Sequence, residues 1–141
     1  MGADSIADAA RALASEADRA GVTLALSSDD SGKLRELLRL VGADHLRANL
    51  EPAGLVAAGE DPLAIAEALG ESIGQFTAAD AIRAGRQVRP VELEQGQVPL
   101  KELLAQLREQ GFDGPTVVDV RDLANAAQGA VRAAEVLRRL L

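Results

Sequence analysis

Leu46-Arg47-Ala48-Asn49-Leu50, a helix opened by Asp61-Pro62 and running to about Leu69, then Ser72-Ile73-Gly74-Gln75-Phe76-Thr77 form the stretch that decides the fold. The two outer segments are short and largely apolar, as strands buried in a parallel sheet are. Asp61 is placed to cap the helix between them, and Pro62 fits its first turn, where a missing N–H costs nothing. Strand, helix and strand in that order predict a βαβ unit with parallel strands and a right-handed crossover.

The same alternation continues on both sides. Upstream, Ile6 to Ala20 carries apolar residues at helical spacing, with Ser5 or Asp4 as N-cap and Gly21 as the closing residue. Val22 to Leu26 follows as a strand, and Lys33 to Val41 as a helix capped by Ser31 or Asp30, with Leu34, Leu37, Leu38 and Val41 on one face. Downstream, 81–98 reads as a long polar connection, and Pro99 starts a helix through Glu109. The turn cluster Gly111-Phe112-Asp113-Gly114-Pro115 leads into a strand at Thr116 to Val120, and Leu123 to Leu141 forms an Ala-rich closing helix. Residues 1–20 are thus a leading helix and residues 21–141 four βα units, in one domain.

Composition sets the limits. With 141 residues, 48% of them hydrophobic and 26% charged, the chain is globular and able to bury a core. It is shorter than the roughly 200 to 250 residues that eight βα units require. There are only two aromatic residues, Phe76 and Phe112, so the core is aliphatic, and the absence of cysteine excludes disulfides and thiolate metal sites. A net charge of −7 argues against nucleic acid as a partner. No apolar run approaches a membrane span, and the first residues lack the basic and apolar regions of a signal peptide, so a cytoplasmic location is expected.

Two motifs carry a family resemblance. Asn49-Leu50-Glu51-Pro52-Ala53-Gly54-Leu55 with Gly59-Glu60-Asp61-Pro62, and Ile73-Gly74-Gln75-Phe76-Thr77-Ala78-Ala79-Asp80, resemble the xylose isomerase-like sugar phosphate isomerase/epimerase family. Corresponding family patterns run approximately N-L-D-P-x-x-L…G-x-D-P and I-x-H-x-H-x-K-D. Residues 21–26 resemble the fifth strand of the family's barrel, 91–98 its V-x-L-G-x-G-x-V loop, and 111–119 its eighth strand. The resemblance implies a TIM-barrel frame. It also implies a divalent cation held by carboxylates and a histidine at the strand ends, where it would polarise sugar oxygens while carboxylates move protons. At those positions this chain has Ser27 in place of glutamate, Glu51 in place of aspartate, Thr77 in place of histidine and Asp119 in place of glutamate. Asp80 keeps an acidic residue, Ala79 replaces a lysine, and Glu94 replaces a glycine. On this alignment the metal set at Ser27, Glu51, Thr77 and Asp119 is vestigial. No cofactor is expected, or at most a weakly held divalent metal.

The remaining chemistry-bearing residues have two readings each. Glu51 with Asp119 is either a remnant acid/base or metal pair or two solvated carboxylates, and the second is preferred because nothing else converges on them. The lone histidine, His45, precedes a strand and so lies at the face that serves stability. Asp29 and Asp30 read as a helix cap rather than a cation loop. Arg83, Arg86 and Arg89 form a basic patch, read as a solvated loop or as a phosphate contact.

These readings give an α/β fold, the (βα)4 half of a TIM barrel preceded by one helix, with a flattened flavodoxin-like sheet as the alternative. An isolated half would expose two sheet edges and an apolar face, which a second copy would cover by closing an eight-stranded barrel. A homodimer is therefore expected, or else a separate chain supplying the N-terminal half-barrel. The functional expectation is a non-catalytic structural half-barrel, natural or engineered. The alternative is a degenerate isomerase/epimerase or sugar-phosphate binder, with Glu51, Asp80 and Asp119 as candidate catalytic residues.

Overall fold

The computed structural model describes residues 2–141; Met1, the first residue of the predicted leading segment, lies outside them. The first helix, α1 (Ala3–Ala20), begins at Gly2 rather than at a Ser5 or Asp4 cap, and the Ser5 hydroxyl instead donates to the Gly2 carbonyl at 2.8 Å. Gly21 ends it at φ 67°, with its N–H on the Ala17 and Asp18 carbonyls. Strand β1 (Leu24–Leu26) leads to α2 (Ser31–Val41), capped by the Asp30 carboxylate, which accepts the Lys33 N–H at 3.0 Å. Strand β2 (Leu46–Leu50) is followed by two helices where sequence reading expects one. They are α3 (Pro52–Ala58), with Pro52 in its first turn, and α4 (Pro62–Leu69), capped by Asp61 on the Leu63 N–H. The seven residues of α3 include three alanines and a glycine, so no apolar periodicity announces the helix.

Strand β3 (Ile73–Ala78) leads not into an irregular loop but into an antiparallel hairpin, β4 (Asp80–Ala84) with β5 (Gln87–Val91). This corrects the reading of 81–98 as a plain connection. The hairpin turns on Gly85 at φ 62° and Arg86, a glycine-first two-residue turn whose twist suits paired strands. Its strands break strict alternation at Ala81-Ile82 and at Pro90-Val91, and Pro90 argues against a strand, so the pattern that marks a half-buried hairpin is missing from the sequence. The last elements are α5 (Leu100–Glu109), β6 (Thr116–Val118) and α6 (Ala126–Leu140), the last capped by Asn125 on the Gln128 N–H.

The four main strands form one parallel sheet in the order β1-β2-β3-β6, and each pairs with the next unit in sequence. This is the half-barrel arrangement. Its helix-covered side is the core: Leu46, Ala48, Leu50, Ile73, Phe76 and Ala78 are buried beneath helices that contribute Leu69, Leu103, Leu107 and Leu137. Ile73 and Phe76 can both face this side because the register shifts at Ala48/Asn49, leaving Gly74 as the extra residue. A Cβ on Gly74 would lie 2.7 Å from the Arg47 Cβ, which is why the bulge takes glycine.

Alternation puts Arg47, Asn49, Gln75, Thr77 and Val117 on the opposite, inner face. The expected apolar open face is therefore wrong in its chemistry, because most of these side chains are polar. Among the exposed large apolar residues, Ile6 and Leu13 lie on α1 at one end of the half-barrel and Val117, Val131 and Leu141 at the other; Val22 before β1, Leu40 on α2 and Val88 on the hairpin are the rest. Among the described residues, no helix is long and apolar enough to cross a membrane.

Phe76 is completely buried at the centre of the sheet, with no other aromatic ring among the core strands. Phe76→Ala is expected to destabilise the chain by about 3–5 kcal/mol, through lost transfer energy plus the cavity left behind. Denaturant unfolding of the two proteins measures it.

Candidate strand-end site

Each βα unit delivers its key side chain to the C-terminal rim of the sheet. Ser27 follows β1, Glu51 follows β2, Thr77 is the fifth residue of β3, and Asp119 follows β6. Three of these positions are joined by a residue the sequence reading did not assign to the site, Asn49. Its amide nitrogen donates to Ser27 Oγ at 3.1 Å and to Glu51 Oε1 at 3.2 Å, and its carbonyl oxygen accepts the Thr77 hydroxyl proton at 3.0 Å. Asn49 and Thr77 are both buried. The result is a hydrogen-bonded ladder from β1 to β3, neutral at Ser27 and Thr77 and ending on the Glu51 carboxylate, in which the buried amide uses both donors and its acceptor. One signal was available: Asn49 lies two residues before Glu51, at the end of β2, a spacing that puts both on one side of an extended chain.

The carboxylates have separate occupations. Asp119 accepts a forked pair of hydrogen bonds from Arg121, Nε at 2.9 Å and Nη2 at 2.7 Å, together with the Arg121 backbone N–H at 3.2 Å. The guanidinium beside it holds the Asp119 carboxyl below the usual aspartate range, partly opposed by desolvation. Asp80 is not poised for chemistry. It is 3% exposed, and its oxygens accept the backbone N–H groups of Ala81 at 2.8 Å, Gly96 at 3.0 Å and Val98 at 3.0 Å. It fastens the start of the hairpin to the segment that returns from it. Gly96 must be glycine there, since a Cβ would collide with the Asp80 carboxylate and the Ala81 carbonyl. All three candidate catalytic residues, Glu51, Asp80 and Asp119, border a common opening, with the Asp80 oxygens held by backbone amides.

That opening is a cleft of about 310 Å³. Glu51, Thr77, Asp80, Asp119 and Asp122 supply its polar groups, while Ala53, Val88, Pro90 and Leu123 are among its apolar walls. A larger cleft of about 840 Å³ lies beside it, between Ser27, Glu51 and the apolar residues Leu34, Leu55 and Ile65. The donor set does not fit a hard divalent cation. Ser27 and Thr77 are neutral and engaged with Asn49, Asp119 is paired with arginine, and among the described residues no three His, Asp or Glu side chains come together as a metal site.

The other singled-out residues serve packing. The Arg83 guanidinium lies against Gly59 at the end of α3, where cations are favoured, and its Nε donates to the Gly85 carbonyl at 2.9 Å. Arg86 and Arg89 are exposed on the hairpin. His45 Nδ1 is 3.0 Å from the Val22 carbonyl oxygen, and Nε2 is 3.2 Å from Asp18, so the ring ties α1 to the entry of β2.

The Asp119–Arg121 pair has a pH signature. A depressed carboxyl stabilises the fold above the unfolded aspartate pKa, about 3.9, and that contribution fades as pH falls through the lowered folded value. Arg121→Ala should move the Asp119 titration midpoint upward, as followed by carboxyl carbon NMR. The cost to stability at neutral pH should be small, because the arginine is largely exposed and the pair is screened by solvent.

Solved structures share this frame. A xylose isomerase domain protein from Planctomyces limnophilus superposes with a TM-score of 0.85 at 22% identity, over 97% of this chain and 53% of that one. A xylose isomerase-like TIM barrel protein from Mycobacterium smegmatis, solved in complex with magnesium, gives 0.84 at 16% identity over 98% and 50%. The IOLI protein, solved with a zinc atom, gives 0.81 at 19% identity over 98% and 55%. The chain thus spans about half the length of these neighbours, and its sheet follows the curve of their barrels rather than a flattened flavodoxin-like sheet. No curated protein matches the sequence. The family model for the xylose isomerase-like TIM barrel matches residues 2–140, and the chain belongs to that family.

Proposed function

We propose that this chain is a non-catalytic structural half-barrel, equivalent to the C-terminal half of its family's barrel and completed by self-association. The observation that carries this reading is the Asn49 ladder. It occupies the Ser27 and Thr77 positions with neutral hydrogen bonds, where sugar isomerisation by the family's chemistry calls for a charged ligand and an electrophile. Isomerisation further needs a base within about 3 Å of a carbon-bound proton. Among the carboxylates on the cleft, Asp80 is engaged by three backbone amides and Asp119 is paired with Arg121, with its basicity lowered.

The cleft beside Glu51 and Asp119 supports a second, weaker reading, a sugar-phosphate or divalent-metal binder without turnover. The exposed Arg86 and Arg89 on the hairpin would supply its anion contact.

Ketose–aldose interconversion should stay at background with added manganese, and elemental analysis should find no stoichiometric metal. Turnover that disappears in Asp119→Asn would overturn the non-catalytic reading. Ser27→Glu with Thr77→His should raise manganese affinity measurably by calorimetry, because together they restore a charge and an imidazole to the rim. Binding of a sugar phosphate that disappears in Arg86→Ala with Arg89→Ala, without turnover, would favour the second reading.

A further inference from the structure

The two ends of the half-barrel are shaped for each other. On α1, successive residues advance about 100°, and Arg11 and Asp18 lie on the flank turned toward α2 and His45, where Arg11 donates to the Leu40 carbonyl. Ile6, Ala9, Leu13, Glu16 and Ala20 line the other flank, away from α2, and all are exposed. On α6, Arg132 and Arg139 reach back to Glu92 and Glu94, so that side faces the body of the half-barrel. Ala127, Val131, Ala134, Arg138 and Leu141 line its outer flank.

Laid side by side in the same direction, as neighbouring helices of a parallel βα array run, the two flanks match position by position. Ile6 meets Ala127, Ala9 meets Val131, Leu13 meets Ala134, Glu16, which pairs with Arg19 on its own helix, meets Arg138, and Ala20 meets Leu141, the residue that closes α6. Large faces small at every apolar step, and the one acid faces the one base. Beside these flanks run the free edges of β1 and β6, each three residues long and each paired on one side only.

We infer that a second copy of this chain occupies both ends. The α1 flank of each copy packs on the α6 flank of the other, and β1 continues the parallel ladder of its neighbour's β6. A two-fold axis along the barrel then generates two identical seams and an eight-stranded closed sheet. An unrelated half-barrel would have no reason to match both ends; a second copy matches because the ends match each other. This inference rests on the self-association reading above and names its interface.

The experiment measures mass by sedimentation equilibrium on the 141-residue chain and on two variants, Leu13→Glu and Val131→Glu. Both side chains are more than half exposed, Leu13 at 51% and Val131 at 61%, so circular dichroism should show both variants folded. The parent should be a dimer. Each variant alone should dissociate about 100-fold more readily or worse, because the new charge falls in both seams. Mixing the two variants should restore dimer. In the mixed pair both charges fall in one seam, while the other joins an unaltered α1 to an unaltered α6. A monomeric parent, an effect of one variant only, or no recovery on mixing would each overturn the seam. None of these outcomes bears on turnover, so the non-catalytic reading stands or falls separately.

Discussion

A parallel sheet must cover both faces and both edges, and four strands with helices on one side cover only one face. Everything distinctive in this chain answers that constraint. The covered face is built from aliphatic residues around a single buried phenylalanine. The uncovered face is given over to Arg47, Asn49, Gln75 and Thr77, which tolerate water or satisfy one another. An apolar inner face would have created an aggregation hazard; a polar one does not.

The ladder through Asn49 is the sharpest form of this solution. A metal centre holds several strand ends together through a shared cation. Here a single amide links β1, β2 and β3 through neutral hydrogen bonds, without like charges to be balanced. The rim keeps its acidic residues, yet each has been assigned a local duty: Glu51 to Asn49, Asp119 to Arg121, Asp80 to three backbone amides.

The sequence discloses the parallel βα order because the apolar runs and the Asp61-Pro62 cap are local signals. Leu46 to Leu50 is a strand as expected, and Asp30 caps α2 as one of the two residues proposed for it. The hairpin and α3 escape because their residues are small or polar and their geometry comes from tertiary anchoring, through Asp80 for the one and the Arg83–Gly59 contact for the other. The candidate site was legible as residue types at strand ends. What those residues do was not, because a hydrogen-bonding amide two positions from a carboxylate looks in sequence like any other asparagine. Asp80 misled for the opposite reason: an acidic residue in a familiar place has been turned into backbone mortar.

That single buried carboxylate has an architectural consequence. The hairpin is joined to the half-barrel at its base, where Asp80 gathers the amide of Ala81 on the outgoing strand and those of Gly96 and Val98 in the segment between β5 and α5, while its tip at Gly85 and Arg86 is exposed. A segment clamped at its root and open at its end is a detachable module. Residues can be added at the tip, or one hairpin exchanged for another, without disturbing the register of the four main strands. The frame and the appendage can therefore diversify at different rates, and the root carboxylate is the joint that separates them.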